Sequence, residues 1–228
     1  MLQLAVDMLI ADLAALAAPP DAENIYAAAG PPGNAVRRRN LTLALGLALA
    51  RGPDLLLVGE APGHAGARRT GVPFTSERLL LAGLGPFGRC DPGAGFTLAG
   101  DDGRISAEAT ATIVWRELAA VGLVAAGWNA YPLHPHRPGA PQSNRRPRAA
   151  ELALGQPLLA QVCAMFPGAP VVAVGDVAAT ALAALGVAHV SVRHPARGGA
   201  RQFAAGLRAL AAGRNPGAEA LKCRVFGG

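Results

Sequence analysis

Short apolar runs alternate along this chain with longer stretches in which apolar and polar residues recur at helical spacing. The apolar runs are bounded by glycine, proline or polar residues and have the length of buried strands. They are DLLLVG (54–59), LVAAGWN (123–129), PVVAVG (170–175) and HVSVRHP (189–195). Strands that alternate with helices predict right-handed βαβ units. We therefore expect a single α/β domain over 1–228, with a four-stranded, mainly parallel sheet flanked by helices on both faces.

The stretches between these runs predict helices, with glycine and proline marking their ends. The first is an N-terminal helix at 2–18, followed by a Pro/Gly-rich connection at 19–39. The others are 40–50, 76–84 capped by Thr75 or Ser76, 110–123, 149–166, 176–186 with Asp176 as N-cap, and 199–213. The core is expected to span about 35–212, with a C-terminal tail at 213–228. The turn-rich segment 86–104 favours a functional surface or a mobile insert over regular structure.

Composition indicates a folded protein, because 51% of the 228 residues are hydrophobic and only 16% are charged. No uninterrupted apolar stretch reaches the roughly 18 to 20 residues that a membrane span needs. The N-terminal segment carries Asp7 and Asp12 and lacks a basic leading region, so it resembles an amphipathic helix more than a signal peptide. We expect a cytoplasmic protein with no membrane partner.

The net charge of +6 and the pI of about 10.2 are compatible with a polyanionic partner such as nucleic acid. A compositional bias towards alanine and arginine is an equally simple explanation, because Lys222 is the only lysine. Three cysteines, Cys90, Cys163 and Cys223, lie far apart and form no CxxC pair. This spacing argues against a disulfide framework or a zinc finger and favours reduced thiols.

Polar side chains follow three of the four predicted strands. GEAPG follows the first, NAYPLHPH the second and RHPARGG the last. Ligands of parallel α/β sheets bind at the carboxyl ends of the strands. The sequence therefore predicts that Glu60, Asn129 and His194 lie around one cleft.

Several familiar chemistries do not fit these loops. GEAPGHAG is neither the GxGxxG of dinucleotide-binding proteins nor a GxxxxGK[ST] phosphate loop, and GxSxG is absent. A zinc site built from His134, His136 and Glu60 stays open as an alternative, although no further nitrogen or sulfur ligand is evident.

The ordered set of loop motifs resembles the uracil-DNA glycosylase superfamily, most nearly the members whose first motif is GEAPG. The motifs are GEAPG after an apolar strand, GVPF downstream, the asparagine of NAYP, and HP in RHPARGGARQF. They cover about residues 54–210 in the expected order. The resemblance implies a monofunctional glycosylase of base-excision repair that flips deoxyuridine out of DNA and releases free uracil. It implies no metal or diffusible cofactor, and we expect a monomer.

The resemblance also assigns roles to the residues that match its motifs. Gly59 and Ala61 would line the uracil pocket, and Phe74 would stack on the flipped ring, unless Phe74 merely fills the core. Asn129 would accept a hydrogen bond from uracil N3–H and donate one to O4, the alternative being an asparagine that caps a turn.

Glycosidic cleavage develops positive charge on the sugar and negative charge on the departing base. Glu60 would stabilise the sugar or orient and deprotonate water. His194 would donate a hydrogen bond to uracil O2 and need not be charged to do so. The alternative for His194 is a core histidine satisfied by the backbone.

The chain departs from its relatives in three respects. Ala61 stands where the best-known members have an aspartate, which puts the identity of the water-activating group in question. Three scattered cysteines cannot supply the four ligands of the iron–sulfur cluster that GEAPG members usually bind, so we expect no cluster. The loop after His194 lacks the serine and the bulky wedge of many relatives, and Arg197 is predicted to fill the gap left by the flipped nucleotide. A pocket that binds uracil-DNA without turnover, or traps it covalently, is the alternative that these departures raise.

Residues beside the cleft are predicted to contact DNA, the arginines by neutralising phosphates. They are His64, Arg68, Arg69, Arg197, Gly198 and Arg201. The outer arginine clusters at 37–39 and 145–148 are further candidates, with a solvated charged face as the alternative.

Overall fold

The computed structural model of the protein describes residues 2–83, 95–100 and 102–214. The strands are β1 (Ala22–Glu23), β2 (Leu55–Gly59), β3 (Ala125–Asn129), β4 (His134–Pro135), β5 (Val171–Val174) and β6 (His189–Val192). The helices are α1 (Leu2–Ala15), α2 (Gly33–Arg51), α3 (Ala67–Thr70), α4 (Glu77–Ala82), α5 (Ala109–Val121), α6 (Ala149–Met165), α7 (Asp176–Ala184) and α8 (Ala200–Arg214). None of the described helices is long and apolar enough to cross a membrane.

The central sheet is parallel throughout and has the strand order β3-β2-β5-β6. The last residue of β2, Gly59, pairs with the last residue of β3, Asn129. Val174 of β5 likewise pairs with Val192 of β6. All four strands therefore end at one edge, and the loops that follow them emerge side by side. The predicted single-domain α/β fold is confirmed.

Side chains of β2 alternate between two hydrophobic layers, as the two-residue period of a strand requires. Leu55 and Leu57 pack on one face with residues of α5 and α8. Leu56 and Val58 pack on the other face with residues of α1, α2, α6 and α7. Every residue of β2 is buried, which explains its continuous apolar run.

Two predicted helix termini are wrong by three residues or more. α1 ends at Ala15 and not at residue 18, shortly before Pro19 and Pro20. α2 begins at Gly33, well inside the predicted 19–39 connection. Arg38 lies in this early part, and its guanidinium donates to the carbonyls of Tyr26 and Ala27. These bonds stabilise the first turns of α2. The first turns are polar and lack the apolar periodicity from which a helix is predicted.

One predicted cap is confirmed in position but makes no capping bond, and another is wrong. Ser76 precedes α4 but makes no side-chain capping bond, and the Thr75 hydroxyl donates to the Pro73 carbonyl instead. At α7 the N-cap is Gly175, and Asp176 is already helical.

The final helix, α8, runs one residue past its predicted end, to Arg214. The rest of the predicted tail, 215–228, lies outside the described residues.

A small antiparallel sheet was not predicted. β1 pairs with β4, which ties the segment before α2 to the loop after β3. Arg145 stabilises this junction through a bidentate ion pair with Glu151 and a hydrogen bond to the Asp21 carbonyl. Strands of two residues are too short to leave a periodic signal in the sequence.

Part of the predicted 86–104 loop, residues 86–94 and 101, lies outside the described residues, as do Cys90 and Cys223. The described part has no helix or strand but is anchored to the fold. Phe96 is buried, and Asp102 forms an ion pair with Arg69. Cys163 is a free, partly buried thiol in α6.

Asn40 of α2 joins two loops to the core through a fully buried amide. Its Nδ2 donates to the Thr70 carbonyl at 2.9 Å and to the Thr97 carbonyl at 2.8 Å, and its Oδ1 accepts from Thr97 N–H at 3.1 Å. Asn40→Ala removes the side-chain partner of one buried and two partly buried backbone groups. We expect the free energy of unfolding to fall by roughly 3 kcal/mol, measured by urea denaturation. Gln3→Ala, which removes an exposed side-chain bond to Asp7, should change it by less than about 0.5 kcal/mol.

Candidate active site

A cavity of about 430 Å³ opens at the carboxyl edge of the sheet, within the size range of ligand pockets. The loops after β2, β3, β5 and β6 all contribute to its wall, as does the start of α5. The predicted site residues that line it are Gly59, Glu60, Ala61, Phe74, Asn129, His194 and Arg197.

Gly59 allows two of these side chains to meet. A Cβ added at Gly59 would lie 2.8 Å from Asn129 Oδ1 and 2.8 Å from Phe74 Cζ. Both contacts are shorter than van der Waals distance, so any other residue would displace the amide or the ring. The glycine that ends β2 therefore sets the amide and the aromatic ring at one end of the cavity.

Phe74 has a strained backbone, with φ of 56°, and only 9% of its surface is exposed. Its carbonyl accepts a 3.0 Å hydrogen bond from Trp115 Nε1, and its ring packs against Gly127 of β3. The ring belongs to the α5/α8 core layer and also lines the cavity. Phe74 can therefore both fill the core and contact a ligand. A bulky residue strained in the left-handed region of φ is characteristic of functional sites.

Asn129 is only 6% exposed, and its side chain makes no hydrogen bond with any described residue. The turn after β3 is held by the backbone, through Ala130 N–H to the Gly59 carbonyl and Tyr131 N–H to the Glu60 carbonyl. The amide therefore caps nothing within the described part of the chain. Asn129 lines the cavity, so its donor and acceptor are free to bind a ligand there.

Glu60 is half-buried at the cavity wall, directly after β2. Burial raises the pKa of its carboxyl, and the guanidinium groups of Arg146 and Arg197 partly offset that rise. The site thus holds a desolvated carboxyl whose ionised form is supported by two cations at the rim.

His194 lies against Gly175, whose φ of 88° suits only glycine and whose added Cβ would lie 3.1 Å from His194 Cβ. Burial lowers the pKa of the imidazole, and Arg193 and Arg197 lower it further, so the ring is neutral at pH 7. The Ala196 N–H donates to Nδ1 at 3.1 Å. A neutral ring that accepts at Nδ1 carries its proton on Nε2. His194 is thus a donor held in a fixed tautomer.

Other predicted site residues are not part of the cavity wall. Arg68 pairs with Glu23 at 2.6 Å, and Arg69 pairs with both Glu77 and Asp102 at 2.8 Å. These guanidiniums already bind carboxylates of the protein itself, which reduces what they can offer a phosphate. His64, Gly198 and Arg201 also lie outside the lining, so all five remain predicted DNA contacts only.

His134 is not available as a ligand for the alternative zinc site. His134 is fully buried, and its two ring nitrogens lie 2.7 Å from the Pro62 carbonyl and 3.1 Å from the Pro141 carbonyl. Both nitrogens are thus occupied. Within residues 2–83, 95–100 and 102–214, no three His, Cys, Asp or Glu side chains come close enough together to hold a metal ion.

Several lining residues were missed by sequence reasoning. Glu108 precedes α5, Arg193 follows β6, and Arg146 is predicted from the sequence only as part of an outer cluster. Arg146 and Arg193 are exposed and form no ion pair with the described residues. Neither Glu108 nor Arg146 belongs to a motif, and Arg193 precedes the HP motif without an assigned role, so proximity in space is what reveals these residues.

The fold thus places a polar cavity at the carboxyl edge of a parallel α/β sheet, which is where folds of this class bind their ligands. A model of the uracil DNA glycosylase superfamily matches residues 48–205, which include all four strands of the central sheet. The chain belongs to the uracil DNA glycosylase superfamily, which confirms the resemblance and a DNA glycosylase type of function. No curated protein matches the chain.

Proposed function

We propose that this protein is a monofunctional uracil-DNA glycosylase, which hydrolyses the N-glycosidic bond of a flipped deoxyuridine. The observation that carries the proposal is the convergence of Glu60, Phe74, Asn129 and His194 on one cavity. These side chains lie at or after the ends of β2, β3 and β6, and each offers what one part of the substrate requires.

The flipped ring stacks on Phe74, and the Asn129 amide pairs with N3–H and O4. Cytosine would present an acceptor at N3 and a donor at N4, which oppose the same amide orientation. Because an unpaired buried polar group is costly, a fixed amide discriminates between the two bases. The absence of a Cβ at Gly59 leaves the space that the Asn129 amide occupies beside Phe74.

Cleavage breaks the C1′–N1 bond, and its electron pair leaves with the base. The Nε2–H of His194 stabilises the charge that gathers on O2. The Glu60 carboxylate stabilises the positive sugar or takes a proton from the water that bonds to C1′. The products are free uracil and an abasic site. No lysine lies near the site motifs, so no Schiff-base step follows.

The tautomer of His194 favours hydrolysis over covalent trapping. A nucleophilic nitrogen needs a free lone pair, but Nδ1 accepts from the backbone and Nε2 carries the proton. Incubation with a uracil-containing oligonucleotide followed by alkali tests this. Strand scission with many turnovers per enzyme supports the glycosylase. An intact but shifted band supports a covalent trap if the shift survives denaturant, and a non-covalent binder if it does not.

The cavity rim offers cations for the DNA backbone. Arg146 and Arg193 are exposed and unpaired among the described residues, and both line the cavity. We expect the double substitution Arg146→Ala and Arg193→Ala to weaken binding to uracil-free duplex DNA. The slope of log affinity against log salt should fall by about 1.8, since each lost phosphate contact contributes about 0.9.

Fluorescence anisotropy over a salt series measures this slope. Arg51→Ala is the matched control, because Arg51 is exposed but precedes β2 and so lies at the opposite edge of the sheet. An unchanged slope in the double variant would show that the rim arginines form a solvated face only.

A further inference from the structure

Glu108 places a second carboxyl in the wall of the cavity. It precedes α5 and lines the same space as Glu60 and Asn129. Its carboxyl packs directly on the loop after β2, where a Cβ added to Gly63 or Gly66 would overlap one of the carboxylate oxygens. These two glycines therefore make the space that the carboxyl occupies.

This carboxyl has no partner within the described part of the chain. It forms no ion pair or hydrogen bond there, and it does not cap its own helix. Burial raises the pKa of the Glu108 carboxyl, and no neighbouring cation counteracts the rise, in contrast to Glu60. A desolvated polar group without a partner is costly to the fold, and such groups concentrate at sites where a ligand supplies what is missing.

The orientation of a bound pyrimidine leaves one edge for this group. Asn129, beside Gly59, covers N3 and O4, and His194, beside Gly175, covers O2. N1 carries the sugar and must point out of the cavity. The remaining edge is C5–C6, and Glu108, which packs on the loop after β2, is an unpaired polar group of the cavity wall that is available to face it.

We propose that Glu108 is a specificity residue that reads the C5 substituent of the flipped base. This inference rests on the proposed function. A hydrogen at C5 leaves the carboxyl in contact with the weakly polar C–H edge. A hydroxymethyl or hydroxyl group at C5 donates a hydrogen bond to a carboxyl oxygen. A methyl group, as in thymine, desolvates the carboxyl further and gives it no donor. The site would accept uracil and uracils with a C5 hydrogen-bond donor, and it would reject thymine.

The test compares three oligonucleotides that carry uracil, 5-hydroxymethyluracil or thymine opposite the same base, under single-turnover conditions. The wild-type protein should remove the first two and leave thymine. In Glu108→Leu, which keeps a similar volume without polar atoms, the rate ratio of 5-hydroxymethyluracil to uracil should fall by about 10- to 100-fold, the factor for a hydrogen bond to a charged group. The ratio of thymine to uracil should rise. Glu108→Gln retains an acceptor and should keep most of the wild-type ratio.

Glu117→Leu serves as the matched control, because Glu117 lies on the same helix but not in the cavity wall, and its ratios should not change. Unchanged ratios in an active Glu108→Leu protein would overturn the inference. Should that variant fail to fold by circular dichroism, wild-type removal of thymine at the rate of 5-hydroxymethyluracil would overturn it equally. Loss of the proposed function is a different result, seen as a wild-type protein that does not remove uracil at all.

Discussion

Glu60→Gln is expected to slow the removal of uracil by about 10²- to 10⁴-fold, the range for loss of a positioned acid or base. The amide is nearly isosteric with the carboxyl but carries no negative charge for the sugar and cannot take a proton from water. Since DNA phosphates are contacted by other residues, the affinity for DNA should change little. Single-turnover cleavage and anisotropy measure the two quantities separately.

The pH dependence gives this prediction a second readout. The reaction needs the ionised carboxyl, so the wild-type rate should fall as the pH drops through the raised pKa of Glu60. The Arg146 guanidinium lowers that pKa, and Arg146→Gln should therefore move the acid limb to higher pH. In Glu60→Gln the limb should vanish.

Glu117→Gln is the control for the substitution itself, because Glu117 lies in α5 outside the cavity wall. Its rate and its pH profile should match those of the wild type. A Glu60→Gln protein that cleaves at the wild-type rate would remove Glu60 from the mechanism and direct attention to another group for water activation.

Asn129→Asp should lower the preference for uracil over cytosine by about 10²-fold or more, because selection here depends on one amide. A carboxylate cannot donate to uracil O4, but it can accept from the amino group of cytosine. Rates on matched uracil and cytosine oligonucleotides give the ratio. The absolute rate on uracil should fall as well, since the buried carboxylate has no partner for the O4 edge.

Asn144→Asp is a suitable comparison, because Asn144 is exposed at the rim and its Oδ1 accepts from His64 N–H. Its uracil-to-cytosine ratio should stay at the wild-type value. If Asn129→Asp also leaves the ratio unaltered, the amide has a structural role and base selection occurs elsewhere in the cavity.

The fold could be predicted because its signals are local. The continuous apolar run of β2 and the glycine that ends it are features of consecutive residues, and a parallel sheet follows from strands that alternate with helices. The early start of α2 was missed because its first turns are polar and are stabilised by bonds to Tyr26 and Ala27 rather than by apolar periodicity.

The sequence by itself determined which polar residues follow the strands, and hence that Glu60, Asn129 and His194 lie at one edge. Parallel strands leave no other place for them. The tertiary structure alone decided the rest of the wall. Glu108 enters because Gly63 and Gly66 leave space for its carboxyl, whereas Arg69 is held in ion pairs away from the cavity. Such outcomes depend on contacts between distant parts of the chain, and neither residue spacing nor composition records which groups will meet there.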